Sequence, residues 1–307
     1  MNQLTKILAQ YDIQETTPQE LIRESGDNKV YMIGKYNKKI LRVSKRSIED
    51  INFECEAIQY LNNGELAVPR WIKTKDGRVY SSTEGIAIAV LFDYLEGHHL
   101  NIDEDNLATK EQAYTAGKAL GSISKIGKSF ISLTPRKRNI FTELERAVKN
   151  EDIFKKDFEG GNVFMEEVRQ AIKFGYESKS ENGLIHNDFR FGNILFKDDN
   201  KVSGIIDFDW SCMGPCIKDL ALGILEWSSP DGRTEPDFEV FDAFLDGYNS
   251  LSSQKISKGK ELYSWIMFAA LSDTATYFCD RLENPDLKKN ISYSYMYKKY
   301  QFFKNYN

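Results

Sequence analysis

The sequence predicts an α+β protein of two lobes, a strand-rich lobe over residues 1–95 and a mainly helical lobe over residues 96–307. Short apolar stretches separated by turn residues dominate the first part, and helical periodicity dominates the second. The pattern changes at the sequence EGHH, directly after residue 95. At 307 residues the chain is long enough to bury a sizeable core.

The strand-rich lobe contains a predicted hairpin, one helix and further strands. KVYMIG (29–34) and KKILRVS (38–44) flank a turn, which is the pattern of two paired strands. Ser47 then precedes a helical stretch, with Asp50 three residues later as a variant of the capping box. The sequence NNG predicts the end of this helix. RWIKT, RVYSS and GIAIAVLFDYL (85–95) predict three more strands.

The helical lobe begins with a second capping signal. Thr109 and Gln112 form a capping box ahead of KEQAYTAGKALGSISKI. Helical periodicity returns in four later stretches. These are VFMEEVRQAIKFGYE, IKDLALGILEW, FEVFDAFLDGYN and ELYSWIMFAALSDTATYFCDRL. The aromatic residues of the last stretch either pack in the core or form a box for a cationic ligand, and their helical spacing favours the core.

Composition and charge exclude several classes of protein. A net charge of -5 argues against nucleic-acid binding, and we read the basic run TPRKRN (134–139) as a solvated loop. The four cysteines do not have zinc-site spacing. No apolar run is long enough to span a membrane, and the N-terminal stretch lacks the apolar core of a secretion signal. We therefore expect a cytoplasmic protein without a nucleic-acid or membrane partner. The sequence does not indicate an oligomeric state.

Three oxygen-bearing side chains follow one another in the middle of the chain. Asp188 and Asn193 lie in HNDFRFGN (186–193), and Asp207 follows a predicted hairpin that returns it towards Asp188. Single oxygen ligands without a closed cage suit Mg²⁺ that is shared with substrate phosphates. One carboxylate is then available to position an attacking hydroxyl, which is the division of labour that phosphoryl transfer requires.

The segment LIHNDFRFGNILF…GIIDFDWSCMGPCIKDLA resembles the catalytic segment of the aminoglycoside phosphotransferase and choline kinase superfamily. FECEAIQYLNNGELAVP is similar to the helix of that family's small lobe, and FDYLEG is similar to its hinge. The resemblance implies a two-lobed protein-kinase-like fold. It also implies an enzyme that uses ATP and Mg²⁺ to phosphorylate a hydroxyl of a small-molecule acceptor.

The resemblance assigns roles to matching residues of the helical lobe. Asp188 is expected to be the catalytic base or to orient the acceptor hydroxyl. Asn193 and Asp207 are expected to bind Mg²⁺. His186 and Asp219 are expected to support the catalytic loop without touching substrate.

In the strand-rich lobe the resemblance implies a nucleotide site. Arg42 is expected to contact the phosphates and to pair with Glu54, and backbone groups from Asp93 to Leu95 are expected to meet the adenine. Burial of an unpaired carboxylate is costly, which independently favours the pair, although Glu54 facing solvent stays an alternative. Two departures weaken the expected phosphate grip, since Arg42 replaces a lysine and the phosphate-covering turn contains only Gly26.

Several residues keep two interpretations. Arg190 either neutralises charge that develops during the reaction or forms a structural ion pair. Asp209 either is a second carboxylate at the metal or bonds to local backbone. Asp198, Asp199 and Asn200 are expected to be turn residues.

The acceptor is expected to carry an amino group, because the helical lobe is rich in acidic residues. Asp273 and Asp280 are seven positions apart on one predicted helix and face the same way, so we expect both to line the acceptor pocket. An aminoglycoside, homoserine or an amino alcohol fits this expectation. The alternative is that these carboxylates only solubilise exposed helix faces.

Two other functions compete with a small-molecule kinase. A protein serine/threonine kinase is disfavoured because Asp-Phe-Asp replaces Asp-Phe-Gly and only eleven residues separate Asp207 from Asp219, which leaves no room for an activation loop. A catalytically silent nucleotide-binding pseudokinase is disfavoured because Asp188, Asn193 and Asp207 are all present.

Overall fold

The computed structural model describes residues 3–25, 28–82, 88–198 and 200–306. Gly26 of the expected phosphate-covering turn and Asp199 of the predicted hairpin turn lie outside the described residues. Within the described part of the chain, every helix is too short or too polar to cross a membrane.

An antiparallel sheet forms the strand-rich lobe. Its strands are β1 (Gln19–Ser25), β2 (Asn28–Ile33), β3 (Lys39–Ser44), β4 (Trp71–Ile72), β5 (Ser81–Ser82) and β6 (Ile88–Asp93). The order is β1-β2-β3-β6-β4, with β5 paired to β6 beside this path. The predicted hairpin is confirmed, since Met32 pairs with Ile40 across β2 and β3.

Helices cover both faces of this sheet. Along β6, Ala89 and Leu91 pack in a core with helix α1 (Gln3–Leu8), while Val90 and Phe92 belong to the main core with helix α2 (Ile48–Asn63). This alternation follows from the period of two in a strand. Ser47 caps α2 as predicted, because its hydroxyl accepts a hydrogen bond from the Asp50 N–H at 3.1 Å. The Asp50 carboxylate, expected to complete a capping box, accepts from Arg136 at 2.6 Å.

The helical lobe contains eight helices in the described part of the chain. They are α3 (Lys110–Gly127), α4 (Thr142–Lys149), α5 (Glu151–Asp157), α6 (Gly161–Glu177), α7 (Cys216–Ser228), α8 (Phe238–Leu251), α9 (Lys260–Cys279) and α10 (Tyr295–Tyr306). The predicted capping box of Thr109 and Gln112 is present at the start of α3. Of the aromatic residues of α9, Tyr263, Trp265, Phe268 and Phe278 are buried in the core, as the helical spacing favoured, whereas Tyr277 is exposed.

Helices α3 and α8 approach each other unusually closely. A Cβ atom added at Gly117 of α3 would lie 2.1 Å from the Phe244 carbonyl oxygen, and one at Gly247 of α8 would lie 2.0 Å from the Tyr114 carbonyl oxygen. Both positions therefore require glycine, because only the absence of Cβ lets the two backbones touch.

Two small antiparallel pairs carry the loops between the helices. Strand β7 (Asn182–Ile185) pairs with β10 (Cys212–Pro215), and β8 (Ile194–Lys197) forms the predicted hairpin with β9 (Lys201–Ile205). Residues 186–193 connect β7 to β8, and residues 206–211 connect β9 to β10. These two connections lie side by side and hold the candidate site.

Candidate active site

The loop at 186–193 is fixed by buried hydrogen bonds. The Asp219 carboxylate accepts from the backbone N–H groups of His186 at 2.7 Å and Asn187 at 2.8 Å. The His186 ring Nε2 lies 3.0 Å from the Ile206 carbonyl oxygen. These contacts tie the loop both to α7 and to the neighbouring connection, which is the arrangement expected of supporting residues.

Asp188 is oriented by two neighbours on the same loop. The Asn193 side-chain amide donates to the Asp188 Oδ2 and to its backbone carbonyl, both at 2.9 Å. The Arg190 Nε donates to the Asp188 Oδ1 at 2.7 Å. Because the amide nitrogen of Asn193 faces Asp188, its oxygen is the atom left to ligate a metal.

Asp207 is the second residue after the end of β9 and adopts a left-handed backbone conformation with φ 67°. Burial raises the pKa of Asp207, and the Asp188 carboxylate adds to this shift. Burial and the Asp207 carboxylate likewise raise the pKa of Asp209 to about 7. A nearby cation stabilises the ionised form of buried, mutually repelling carboxylates such as these.

The donor set fits Mg²⁺ that is completed by phosphate oxygens. The described residues contain no cluster of three His, Cys, Asp or Glu side chains able to hold a metal ion. Asn193 and Asp207 lie on neighbouring connections, which the Ile206 N–H joins by donating to the Asn193 carbonyl oxygen at 2.9 Å. Two such single oxygen-bearing side chains would suit Mg²⁺, because this ion keeps waters and substrate oxygens in its shell. The Asp209 carboxylate instead lies 3.3 Å from the Asn28 side-chain amide nitrogen.

A cleft of about 510 Å³ lies between the sheet and residues 192–207, and we call it the inter-lobe cleft. Its walls are mainly apolar, with the side chains of Val30, Met32, Ile40, Phe92, Leu195 and Ile206. Residues 93–95 border it, so the backbone of Asp93 to Leu95 lies where the resemblance expects the hinge. Arg42 and Asp207 supply polar groups to the same cleft.

Arg42 and Glu54 form the predicted pair, in bidentate geometry. Arg42 Nη1 donates to Glu54 Oε1 at 2.9 Å, and Nη2 donates to Oε2 at 2.6 Å. Arg46 adds a third hydrogen bond to Glu54 at 2.8 Å. Burial alone would raise the pKa of Glu54, but the two guanidinium groups outweigh it and lower that pKa. Glu54 is therefore buried and paired, and the solvent-facing alternative is excluded.

The interpretation of the basic run 134–139 as a solvated loop was wrong for two arginines. Arg136 donates to the Asp50 carboxylate at 2.6 Å and to the carbonyl oxygens of Asp209 and Ser211 at 2.6 and 3.1 Å. It thereby connects the start of α2 to the connection that carries Asp207. Arg138 lies over the Trp210 ring, 4.0 Å from its centroid.

A second cleft, of about 200 Å³, adjoins Asp188, and we call it the acceptor cleft. Charged side chains of both signs line it: Arg23, Arg138, Glu143, Asp188, Arg190, Lys218 and Asp273. Burial raises the pKa of Asp273, whose carboxylate lies 3.7 Å from the Arg190 Nη2. Arg190 thus forms an ion pair with Asp188 and lies close to Asp273, and its side chain lines the acceptor cleft.

Asp280 does not line this cleft, contrary to the expectation that it accompanies Asp273. Its carboxylate pairs with Arg146 at 2.7 Å, and its side chain is 47% exposed. Helix α9 ends at Cys279, so Asp280 is the residue after the last helical position. Two turns of helix also place it about 10 Å from Asp273 along the axis, which is too far for one small pocket.

Three cationic residues at the clefts were not identified from the sequence. Lys218 precedes Asp219 in the Asp-Leu-Ala motif, and this neighbourhood was the available signal. Arg138 was visible only as part of a basic run. No sequence pattern indicated that Arg23 lies at a cleft, because strand β1, which carries it, was not predicted.

The fold, with its two clefts beside Asp188 and Asp207, is kinase-like. The chain belongs to the phosphotransferase enzyme family, whose family model matches residues 19–254, and it is accordingly a phosphotransferase that acts on the hydroxyl group of a small molecule. The predicted family and the two-lobed fold are thereby confirmed.

Curated relatives and solved structures agree with this assignment. The chain is similar to a homoserine kinase of Neisseria meningitidis, with 26% identity over 255 residues, or 81% of this chain and 79% of the relative. A homoserine kinase of Rhodopseudomonas palustris is 25% identical over 295 residues, or 92% of this chain and 85% of the relative.

Among solved structures, an amicoumacin kinase in complex with AMP-PNP, Ca²⁺ and Ami has a TM-score of 0.77 at 16% identity and covers 98% of this chain and 92% of its own. A microcompartment-associated aminopropanol kinase has a TM-score of 0.66 at 17% identity, covering 97% of this chain and 95% of its own. At these identities the two structures establish the fold.

Proposed function

We propose that this chain uses ATP and Mg²⁺ to phosphorylate the hydroxyl of a small acceptor that carries an amino group, with homoserine as the preferred candidate. The observation that carries the proposal is the division of the site, since Asp207 lines the inter-lobe cleft and Asp188 lines the acceptor cleft. A nucleotide in the first cleft and an acceptor in the second then meet between these two carboxylates.

The inter-lobe cleft suits a nucleoside triphosphate. Its apolar walls match the two faces of a purine, and the backbone at 93–95 offers hydrogen bonds to the purine edge. Arg42 lies farther along the cleft and presents a fixed positive charge to phosphates, because Glu54 holds its guanidinium. We place the boundary between the nucleotide-binding lobe and the acceptor-binding lobe at residue 95.

Asp188 is the group that receives the proton. The acceptor oxygen forms a bond to the γ-phosphorus, the bond from that phosphorus to the bridging oxygen breaks, and the hydroxyl proton passes to the Asp188 carboxylate. Asn193 and Asp207 would hold Mg²⁺, which supplies charge neutralisation at the phosphates. His186 and Asp219 keep the loop in place while the reaction proceeds.

The acceptor cleft supports an amino acid alcohol more strongly than a neutral sugar or a large antibiotic. Asp273 is a carboxylate suited to an ammonium group, and Arg138, which donates from its Nη1 to Glu143, keeps further guanidinium donors suited to a carboxylate. A volume of about 200 Å³ favours an acceptor of a few heavy atoms. The curated relatives that are similar over most of the chain carry the name homoserine kinase.

Three matched acceptors test this proposal with purified protein and magnesium-ATP. Homoserine carries both charged groups, 3-aminopropanol lacks the carboxylate, and 4-hydroxybutyrate lacks the amine. We expect kcat/KM to be highest for homoserine and at least about tenfold lower for 4-hydroxybutyrate, because that acceptor gives the Asp273 carboxylate no hydrogen-bonding ammonium group in addition to Arg190 at 3.7 Å. Spectinomycin, choline and a serine peptide complete the panel.

Equal use of 4-hydroxybutyrate and homoserine would contradict the amino-group requirement. Preference for spectinomycin would replace homoserine by an aminoglycoside-type acceptor. Nucleotide binding without turnover of any acceptor would instead support the pseudokinase alternative.

A further inference from the structure

Strand β1 carries a β-bulge immediately before Arg23. Leu21 pairs with Tyr31, but Arg23 pairs with Val30, so Ile22 is an extra residue in the ladder. Successive side chains of a regular strand point to opposite faces of the sheet. Here Ile22 and Arg23 both line the inter-lobe cleft, because the bulge redirects one of them.

Arg23 has a position that no other described residue shares. It lines the inter-lobe cleft and also the acceptor cleft, so it lies where the two meet. Its Nη1 is 3.7 Å from the Asp207 Oδ2, and its side chain is 59% exposed. The guanidinium therefore lies between Asp207 and the acceptor cleft.

The other arginines at the clefts are committed to carboxylates at hydrogen-bonding distance. Arg42 holds Glu54 at 2.6 and 2.9 Å, and Arg190 holds Asp188 at 2.7 Å. Arg138 pairs with Glu143 at 2.7 Å. The Arg23 pair is longer than a hydrogen bond, so its N–H donors are the least committed among these four side chains.

We propose that Arg23 is a catalytic residue that binds the phosphoryl group during its transfer. This inference rests on the proposed function and adds a role that the sequence motifs did not contain. As the acceptor oxygen bonds to the γ-phosphorus and the bridging oxygen leaves with its electron pair, negative charge concentrates on the transferred group and the leaving phosphate. Arg23 donates hydrogen bonds to these oxygens and stays protonated throughout, while the hydroxyl proton passes to Asp188.

The expected contribution of Arg23 to catalysis follows from its long, partly exposed contact with Asp207. A cation that is partly exposed gains little from Asp207 alone. A guanidinium at the point of charge development stabilises the transition state more than the ground state, so it increases kcat more than nucleotide affinity. This separates Arg23 from Arg42, which is expected to act on bound phosphates before and after transfer.

The test uses R23Q and R23K, with R78Q as the matched control. Arg78 is also a partly exposed arginine of the strand-rich lobe, but it pairs with Asp76 and lines neither cleft. Three quantities are measured: kcat with the best acceptor, the Kd for magnesium-ADP, and the Kd for magnesium-ADP with aluminium fluoride, which mimics the phosphoryl group in transfer.

We expect R23Q to lower kcat about 100- to 1,000-fold while the ADP Kd changes less than about threefold. The extra affinity that aluminium fluoride gives the wild type should be largely lost in R23Q. R23K should be intermediate, because a lysine keeps the charge but not the planar fork of donors. R78Q should match the wild type in all three measurements.

Other outcomes overturn the inference in distinguishable ways. An R23Q variant with unchanged kcat and fluoride-dependent affinity would remove the catalytic role alone and leave the proposed function standing. Equal losses of ADP affinity and kcat would make Arg23 a ground-state binding residue. If aluminium fluoride does not lower the Kd of the wild type for magnesium-ADP, the catalytic role of Arg23 is also contradicted. If the wild type does not bind ADP, the proposed function is removed as well.

Discussion

Arg42 and Arg190 each hold a carboxylate beside the candidate site, but they hold it in different ways. Arg42 and Glu54 share two hydrogen bonds, and their side chains are 6% and 1% exposed. Arg190 is 38% exposed, with one hydrogen bond to Asp188 and a contact of 3.7 Å to Asp273. The proposed nucleotide side is therefore preassembled, whereas the proposed acceptor side keeps capacity for new partners.

Additional contacts strengthen this contrast. On the nucleotide side, Arg46 and Arg136 bridge α2 to the carbonyl oxygen of Asp209, each at 2.6 Å. On the acceptor side, the Arg190 Nη2 lies 3.7 Å from the Asp273 carboxylate, which is longer than a hydrogen bond, and both residues line the acceptor cleft. Specificity is expected at this incomplete pair, because an acceptor gains most from groups that the protein leaves unsatisfied.

The largest expected effect comes from breaking the acceptor side at its reacting group. Asp188→Asn should lower kcat about 100- to 10,000-fold, since an amide cannot take the hydroxyl proton. The Kd for magnesium-ADP should stay within about threefold of the wild type, because the inter-lobe cleft is intact. Steady-state kinetics and calorimetry measure the two quantities, and Asp198→Asn in the β8–β9 turn is the control. A kcat within tenfold of the wild type would remove Asp188 from its proposed role.

The nucleotide side is broken most directly at Glu54. Glu54→Gln leaves buried Arg42 without its compensating charge, so we expect a loss of about 3 kcal/mol in the free energy of unfolding. Urea unfolding measures this, and Glu24→Gln, which removes an exposed pair with Lys29, should cost less than about 1 kcal/mol. Similar losses of unfolding free energy in both variants would show that the buried Arg42–Glu54 pair stabilises the fold no more than an exposed pair does.

The lowered pKa of Glu54 adds a pH dependence to the same comparison. A carboxylate whose pKa is lower in the folded state stabilises the fold above its ordinary value of about 4.5 and loses this contribution as the pH falls. The difference in unfolding free energy between wild type and Glu54→Gln should therefore shrink below that pH. A constant difference down to acid unfolding would argue against an ionic origin.

A substitution at Asp207 distinguishes metal binding from nucleotide binding in the inter-lobe cleft. Asp207→Ala should weaken magnesium-ADP at least about tenfold, or about 1.4 kcal/mol, because it removes one of the two proposed Mg²⁺ ligands. With EDTA in place of Mg²⁺, wild type and variant should bind ADP with similar affinity. Unchanged affinity in the presence of Mg²⁺ would contradict the ligand assignment.

Local patterns in the sequence were sufficient for much of the fold. The caps at Ser47 and Thr109 were predicted correctly because each depends on residues three positions apart. The β8–β9 hairpin was likewise predicted from its own turn. Helices α1, α4, α5 and α10 and strands β1, β7 and β10 were not predicted.

The missed residues depend on contacts that no local pattern contains. Arg136 looks like a solvated residue until Asp50, 86 positions earlier, is brought against it. Arg23 points into both clefts because of a one-residue bulge, and its sequence has no signal for that register shift. Asp280 shares a predicted face with Asp273, but the helix ends one residue too early for it to continue that face.

The smallest expected effect sharpens the acceptor side by separating two acidic residues that the sequence had grouped together. Asp280→Asn removes an exposed pair with Arg146, so unfolding free energy should change by less than about 0.5 kcal/mol and kcat/KM for homoserine should not change. Asp273→Asn is the matched substitution inside the cleft. It should lower kcat/KM about tenfold for homoserine and 3-aminopropanol and leave 4-hydroxybutyrate nearly unaffected, because only an ammonium group needs the carboxylate. Equal losses for all three acceptors would mean that Asp273 acts by orienting Arg190 and Asp188 and not by binding the amine. A loss in Asp280→Asn as large as in Asp273→Asn would return both residues to one acceptor site.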